Sequence, residues 1–218
     1  SETGSRGSRR GTRGGGGGGS TGDGGSTASG GPVGRGGGDG YETESTVGKA
    51  AYKEFYKNFR AKEKQSVALA REYAETALTL VPVSIRWKIT LELADLAKRG
   101  NDFEKARELF EHVCQVIPHS SQGWLEWSKL EEECGRLGAS LDILRRGLRE
   151  CEFNEGLLTK AIKQLGRLHD VDQARHMLSR TSPKYESIDR AWKAILEGAL
   201  LEARAGKTET ARLFFKYL

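Results

Sequence analysis

The chain repeats itself. Small residues followed by Arg or Leu recur at Ala70-Arg71, Ala106-Arg107, Ser140-Leu141, Ala174-Arg175 and Ala211-Arg212. The small positions are 36, 34, 34 and 37 residues apart. A second ladder of large residues precedes them: Tyr52, Trp87, Trp124, Leu158 and Trp192, at intervals of 35, 37, 34 and 34. A period of this length leaves few architectures open, because each unit is one supersecondary element that must bury its apolar face against the next.

One unit shows what the element is. In GNDFEKARELFEHVCQVIP, residues 100–118, the side chains of Ala106, Leu109, Phe110, Val113, Cys114 and Ile117 fall at offsets of three and four. That spacing puts them on one stripe of a helix, which Pro118 stops. A second helix, carrying the large anchor, precedes it. The expected unit is therefore a helix A bearing a large residue and a helix B bearing a small one where helix A approaches closely. Gly100-Asn101 and Gly206-Lys207 punctuate the A-to-B turns, and Pro82, Pro118 and Pro183 follow helices B. The third unit is the weakest, with no aromatic anchor in LLTKAIKQLGRLHD and a compact turn at His169-Asp170. Stacked pairs give an all-α superhelical array.

Composition divides the 218 residues. Residues 1–40 hold 19 of the 29 glycines and, apart from Val33, no large apolar side chain. Such a segment cannot bury enough surface to offset its chain entropy, so it is expected to be disordered. The repeats occupy 41–218, as about five helix pairs, the last cut short. Both ends read as those of a fragment: the first residue is Ser, and the last lie within a helical pattern. An apolar face at Leu213, Phe214 and Tyr217 is expected, with further repeats to follow.

At these residues the sequence resembles the tetratricopeptide superfamily, and more closely its half-a-tetratricopeptide (HAT) branch. WLEWSKLEEECG places Trp124, Trp127, Glu131 and Gly135 at the positions of that pattern. ALLEARAG repeats its Glu-to-Gly step with Glu202 and Gly206, and ARELFEHV matches its helix B at Ala106, Arg107, Leu109, Phe110 and Glu111. LRRGL supplies its Arg before a small residue at Arg146-Gly147. In the first unit Ala94 stands where the second has Glu131. The resemblance spans roughly 50–218 and implies an α-solenoid with an RNA-processing role.

Candidate functional residues follow from position. Trp87, Trp124, Trp127 and Trp192 are read as core fillers, with an inner stacking platform as their alternative. Ala106, Ala174 and Ala211 are the close-approach positions, and Glu131 is expected to pair with Arg145 or Arg146 within its own repeat. Exposed bases on helices A, which usually line the concave side of such arrays, are the candidates for RNA: Lys88, Lys129, Lys160, Lys163 and Lys193. Arg145, Arg146 and Arg149 form a second cluster on helix B. Net charge is +5, but Glu126, Glu131, Glu132 and Glu133 surround Lys129 and oppose a uniformly basic groove. The balance favours protein contact over RNA contact. The arginines of SRGSRRGTRGGGGGG read as a linker, with an RNA-binding tail or a transit segment as alternatives.

Several classes drop out. Gly14–Gly19 satisfies a dinucleotide glycine pattern trivially, and Gly206-Lys207-Thr208 lacks the earlier glycine of a phosphate-binding loop, since Leu201 stands there. Three cysteines without a CxxC pair argue against a disulfide framework and for small core thiols. No catalytic triad, metal site or cofactor site can be assembled, so none is expected. The reading is a non-enzymatic scaffold that organises proteins of a ribonucleoprotein assembly, in the nucleus rather than an organelle. Its rivals are a direct single-stranded RNA binder of the organellar kind and a general peptide adaptor unconnected with RNA.

Overall fold

The computed structural model describes residues 46–152, 154–181, 191–216 and 218. The readings made for residues 1–40, for Pro183 and for Tyr217 lie outside them. Ten helices and no strand occur among the described residues. They are α1 (Thr46–Glu63), α2 (Val67–Leu80), α3 (Val83–Arg99), α4 (Phe103–Val116), α5 (Ser121–Glu133), α6 (Leu137–Glu150), α7 (Glu155–Arg167), α8 (Val171–Thr181), α9 (Trp192–Arg204) and α10 (Thr208–Phe215). Odd-numbered helices are the A helices and even-numbered ones the B helices. The expected all-α array of antiparallel pairs is what the chain forms.

Four of the five A-to-B turns are closed alike. The amide of Asp102 donates to the Ala97 carbonyl, Arg136 to Glu131, Asp170 to Leu165 and Lys207 to Glu202. The residue before each donor has positive φ: Asn101 at 60°, Gly135 at 74°, His169 at 57° and Gly206 at 76°. In the first of these turns the left-handed position falls to Asn101, while Gly100 has φ −80°. Asparagine tolerates this conformation better than most residues with a Cβ.

This turn sets the true register of the repeats, and it corrects two readings. Glu131 aligns with Ala97, Leu165 and Glu202, so Ala97 rather than Ala94 stands at the glutamate position. Trp124 aligns with Thr90, Leu158 and Ile195, whereas Trp87 and Trp192 align with Ser121 and Glu155, one turn nearer the helix start. The tryptophan ladder therefore mixed two positions. Trp124 and Trp127 are buried, but Trp87 is only half-buried and Trp192 is 44% exposed. Trp192 opens α9, ahead of the stripe that packs inward. There the reading as a core filler fails.

The small-residue ladder holds without correction. Ala70, Ala106, Ser140, Ala174 and Ala211 are all buried. Where packing is tightest, even a methyl group has no room. A Cβ on Gly147 of α6 would lie 2.7 Å from Trp124 Cγ, and one on Gly198 of α9 would lie 2.4 Å from Leu178 Cδ1. The helix starts are capped by Ser66, Asp102 and Asn154, whose side chains accept from amides of the first turn, and by Asp170, which accepts from Gln173. One apolar cluster joins α3 through α9, and a second, around Phe55, Phe59 and Ala74, joins α1 to α3. Each large side chain fully buried there contributes about 2 kcal/mol. At the other end of the array, Leu213 is 56% and Phe215 45% exposed, while Phe214 is half-buried.

Neighbouring helices A touch one another: α1 meets α3, and α7 meets both α5 and α9. No two described helices B make comparable contact. The face that helices A form together is called the inner face below.

Candidate functional site

The inner face is laced by ion pairs. Arg99 of α3 bonds Glu63 of α1, and Lys98 of α3 lies 3.5 Å from Glu133 of α5. Glu132 of α5 takes Lys160 of α7 at 2.8 Å and also Arg167 of α7. Burial pushes the Glu132 carboxyl up, but hydrogen bonds from these two cations outweigh it and hold the group below its ordinary value. Lys163 of α7 lies 3.7 Å from Glu197 of α9. One strand of charge thus crosses each junction between helices A.

Two of the bases expected to meet RNA, Lys160 and Lys163, are taken up by this lacing. Lys160 and Lys163 are as just described, and Lys129 lies 3.8 Å from Glu126 on its own helix. Lys88 sits over the Tyr52 and Trp87 rings, and Lys193 over Trp192, at 5.1 to 5.5 Å. On α6, Arg145 bonds Asp142 and Gln173, and Arg146 covers both Trp124 and Trp127 at 5.5 Å. Arg149 is exposed near the end of α6. These eight residues are spread over α3, α5, α6, α7 and α9.

Behind the inner face, helices B are tied to the following helices A. Arg107 of α4 donates to Glu131 of α5 at 2.7 Å, and Arg175 of α8 grips both oxygens of Glu202 of α9 at 2.7 and 2.9 Å. Glu131 and Glu202 are each 2% exposed. Glu131 therefore pairs between repeats, not with Arg145 or Arg146 of its own. The other Glu131 oxygen has Arg136 at 3.1 Å, without hydrogen-bond alignment. The helix B residue after the small one points at the next unit, which the turn register makes clear and raw spacing does not.

The junction between α6 and α7 reverses this chemistry. At the positions of Arg107 and Glu131 it has Leu141 and Leu165, both buried. At the positions of Ala106 and Leu130 it has Ser140 and Gln164, also buried. Ser140 donates to the Ser128 carbonyl at 2.8 Å, and Gln164 Nε2 donates to Ser140 at 3.3 Å. Gln164 Oε1 is buried without a partner.

No group of His, Cys, Asp and Glu able to hold a metal ion occurs among the described residues. Burial pushes the Cys114 thiol up to about 12 and that of Cys151 to about 11, so both stay protonated at neutral pH. No described helix is long and apolar enough to cross a membrane.

A stack of antiparallel helix pairs, tied by a recurring Arg–Glu contact between units, is a helical-repeat protein of the tetratricopeptide-like class. Within that class the chain belongs to one family: residues 80–218 match the family described as PRP6, TPR-like domain. A TPR-containing protein of Dictyostelium discoideum is 45% identical over 175 residues, covering 80% of this chain and 13% of that protein. The pre-mRNA-splicing factor CLF1 of Yarrowia lipolytica is 30% identical over 121 residues, covering 54% of this chain and 18% of the factor. The chain thus spans less than a fifth of the length of either relative. Among solved structures, a kinesin-light-chain-type protein of nearly identical TPR-like repeats from Podosopora anserina superposes with a TM-score of 0.50. That match covers 78% of this chain and 92% of the other at 13% identity, and it speaks to the fold alone.

Proposed function

We propose that this chain is a non-enzymatic scaffold in pre-mRNA splicing, holding proteins of a ribonucleoprotein assembly in the nucleus. Its family and its likeness to a splicing factor support the process. The observation that carries the choice of protein over RNA is the lacing of the inner face. Lys160, Lys163 and Arg167 each have a carboxylate partner there. A continuous phosphate backbone laid on that face would have to displace Glu132 and Glu197 and then lie beside them. Protein partners tolerate such a mixed surface, which gives specificity through charge pattern.

The test is capture from nuclear extract with the tagged full chain, before and after ribonuclease, probed with antibodies to spliceosomal proteins. The reading expects splicing proteins to be retained and to survive ribonuclease. Absence of splicing proteins, or their complete loss on RNA digestion, contradicts it.

A further inference from the structure

Positive charge gathers on α1. That helix and Lys64 just after it hold six bases, Lys49, Lys53, Lys57, Arg60, Lys62 and Lys64, against two acids, Glu54 and Glu63. The resulting net of +4 is most of the +5 of the whole chain. Lys49, Lys53, Lys57 and Arg60 recur at offsets of four, four and three, which sets them along one face of the helix. All four are exposed. Unlike Lys160 and Lys163, the three lysines make no ion pair among the described residues. Arg60 is paired, with Glu63 at 2.6 Å.

Aromatic rings stand among these charges. Tyr56, three residues after Lys53 and four before Arg60, is 39% exposed, and the Arg60 guanidinium lies 5.7 Å from its ring centre. The Tyr52 ring centre is 6.1 Å from that of Tyr56. Tyr52 and Trp87 of α3 are half-buried, and the Lys88 ammonium sits over both. The opposite face of α1 belongs to the core, where Phe55 and Phe59 are buried.

We propose that the exposed face of α1 binds single-stranded RNA. Lys49, Lys53 and Lys57 meet successive phosphates, since four residues of helix advance about 6 Å, close to the phosphate spacing of an extended strand. An unpaired base stacks on Tyr56 beside Arg60. An acidic peptide would use the charge but not the ring. A lipid surface would need apolar side chains to insert, and the large ones that α1 exposes are Val47 and Tyr56 alone among its described residues. The proposal leaves the laced junctions of α5, α7 and α9 to protein, and it takes from the splicing reading only the choice of RNA as the strand.

The test is fluorescence anisotropy of the full chain with a labelled RNA dodecamer of mixed sequence. Saturable binding is expected that weakens as salt rises. Lys53→Glu with Lys57→Glu weakens it about tenfold and lowers the log–log salt slope by about 1.4, since two phosphate contacts are lost. Tyr56→Ala weakens it about tenfold with the slope unchanged, and Tyr56→Phe restores it. Lys207→Glu with Lys216→Glu, the same change of charge at the two ends of α10, leaves binding close to that of the parent. Circular dichroism confirms that each variant keeps its helices. No binding overturns the proposal, as does binding that the α1 variants leave intact. Equal weakening by the reversal on α10, or equal competition by polyaspartate of matched charge, overturns it too. The two readings fail separately. Capture of splicing proteins by a chain whose α1 ignores RNA sinks this inference alone, whereas RNA binding through α1 without such capture sinks the splicing role alone.

Discussion

Two glycines of α6 should respond oppositely to the same methyl group. A Cβ on Gly147 would lie 2.7 Å from Trp124 Cγ, 2.8 Å from its Cβ and 3.1 Å from Cδ2. The indole cannot easily retreat, because its Nε1 donates to the Pro118 carbonyl at 2.7 Å. Overpacking of this kind costs about 1–3 kcal/mol. Alanine recovers up to about 1 kcal/mol over glycine in a helix. Gly147→Ala should therefore destabilise by up to about 2 kcal/mol. Gly138 begins the same helix with nothing within 4 Å of its would-be Cβ. Gly138→Ala should collect only the propensity gain, about 0.5 kcal/mol. Repeat arrays need not unfold in one step, so midpoints and slopes of urea unfolding should be compared between far-ultraviolet circular dichroism and tryptophan fluorescence. In a chain of this size the two variants should also melt about 5 °C apart. If Gly147→Ala is as stable as Gly138→Ala, the close approach of Trp124 to α6 is wrong.

Other perturbations follow from the same contacts. Trp124→Ala should cost about 3–5 kcal/mol, read from urea unfolding, because the ring is 3% exposed; a loss below about 1 kcal/mol contradicts its burial. Gln164→Leu should stabilise by about 1 kcal/mol, because it removes a buried oxygen with no partner and restores the leucine of the equivalent positions 96, 130 and 201. Glu131→Ala should destabilise by about 2 kcal/mol through the stranded Arg107, whereas Arg107→Leu with Glu131→Leu should be near neutral, as Leu141 with Leu165 already shows in the next unit. Because the folded Glu132 carboxyl is held below its ordinary value, its contribution is present above the unfolded value and is lost as pH falls through the folded one. Glu132→Gln should remove that part of the acid loss in a pH series of unfolding midpoints.

The fold was legible because repetition reports itself. The ladder Ala70, Ala106, Ser140, Ala174 and Ala211 is buried throughout, since a small residue is the requirement of close approach and nothing else satisfies it. The large-residue ladder misled, because an aromatic ring can be held at several positions of a helix A. Trp124 fills the core, while Trp192, one turn nearer its helix start, is 44% exposed. The register was set instead by a backbone hydrogen bond and a left-handed residue, and asparagine and histidine fill that place as well as glycine does. The inner face was harder still. Lys160 and Lys163 read as free bases along the chain, and their partners Glu132 and Glu197 lie 28 and 34 residues away. Only the stacking brings them together.

The scaffold account turns on whether the inner face meets protein or RNA, and filter binding of mixed single-stranded RNA tests that choice most directly. The full chain and its variant Lys160→Glu with Lys163→Glu would be compared at low and at physiological salt. If the lacing keeps RNA off the inner face, the two proteins retain the same amount of RNA at each salt, whatever that amount is. Strong retention by the parent that the double reversal abolishes would make these lysines an RNA site and overturn the protein-scaffold reading.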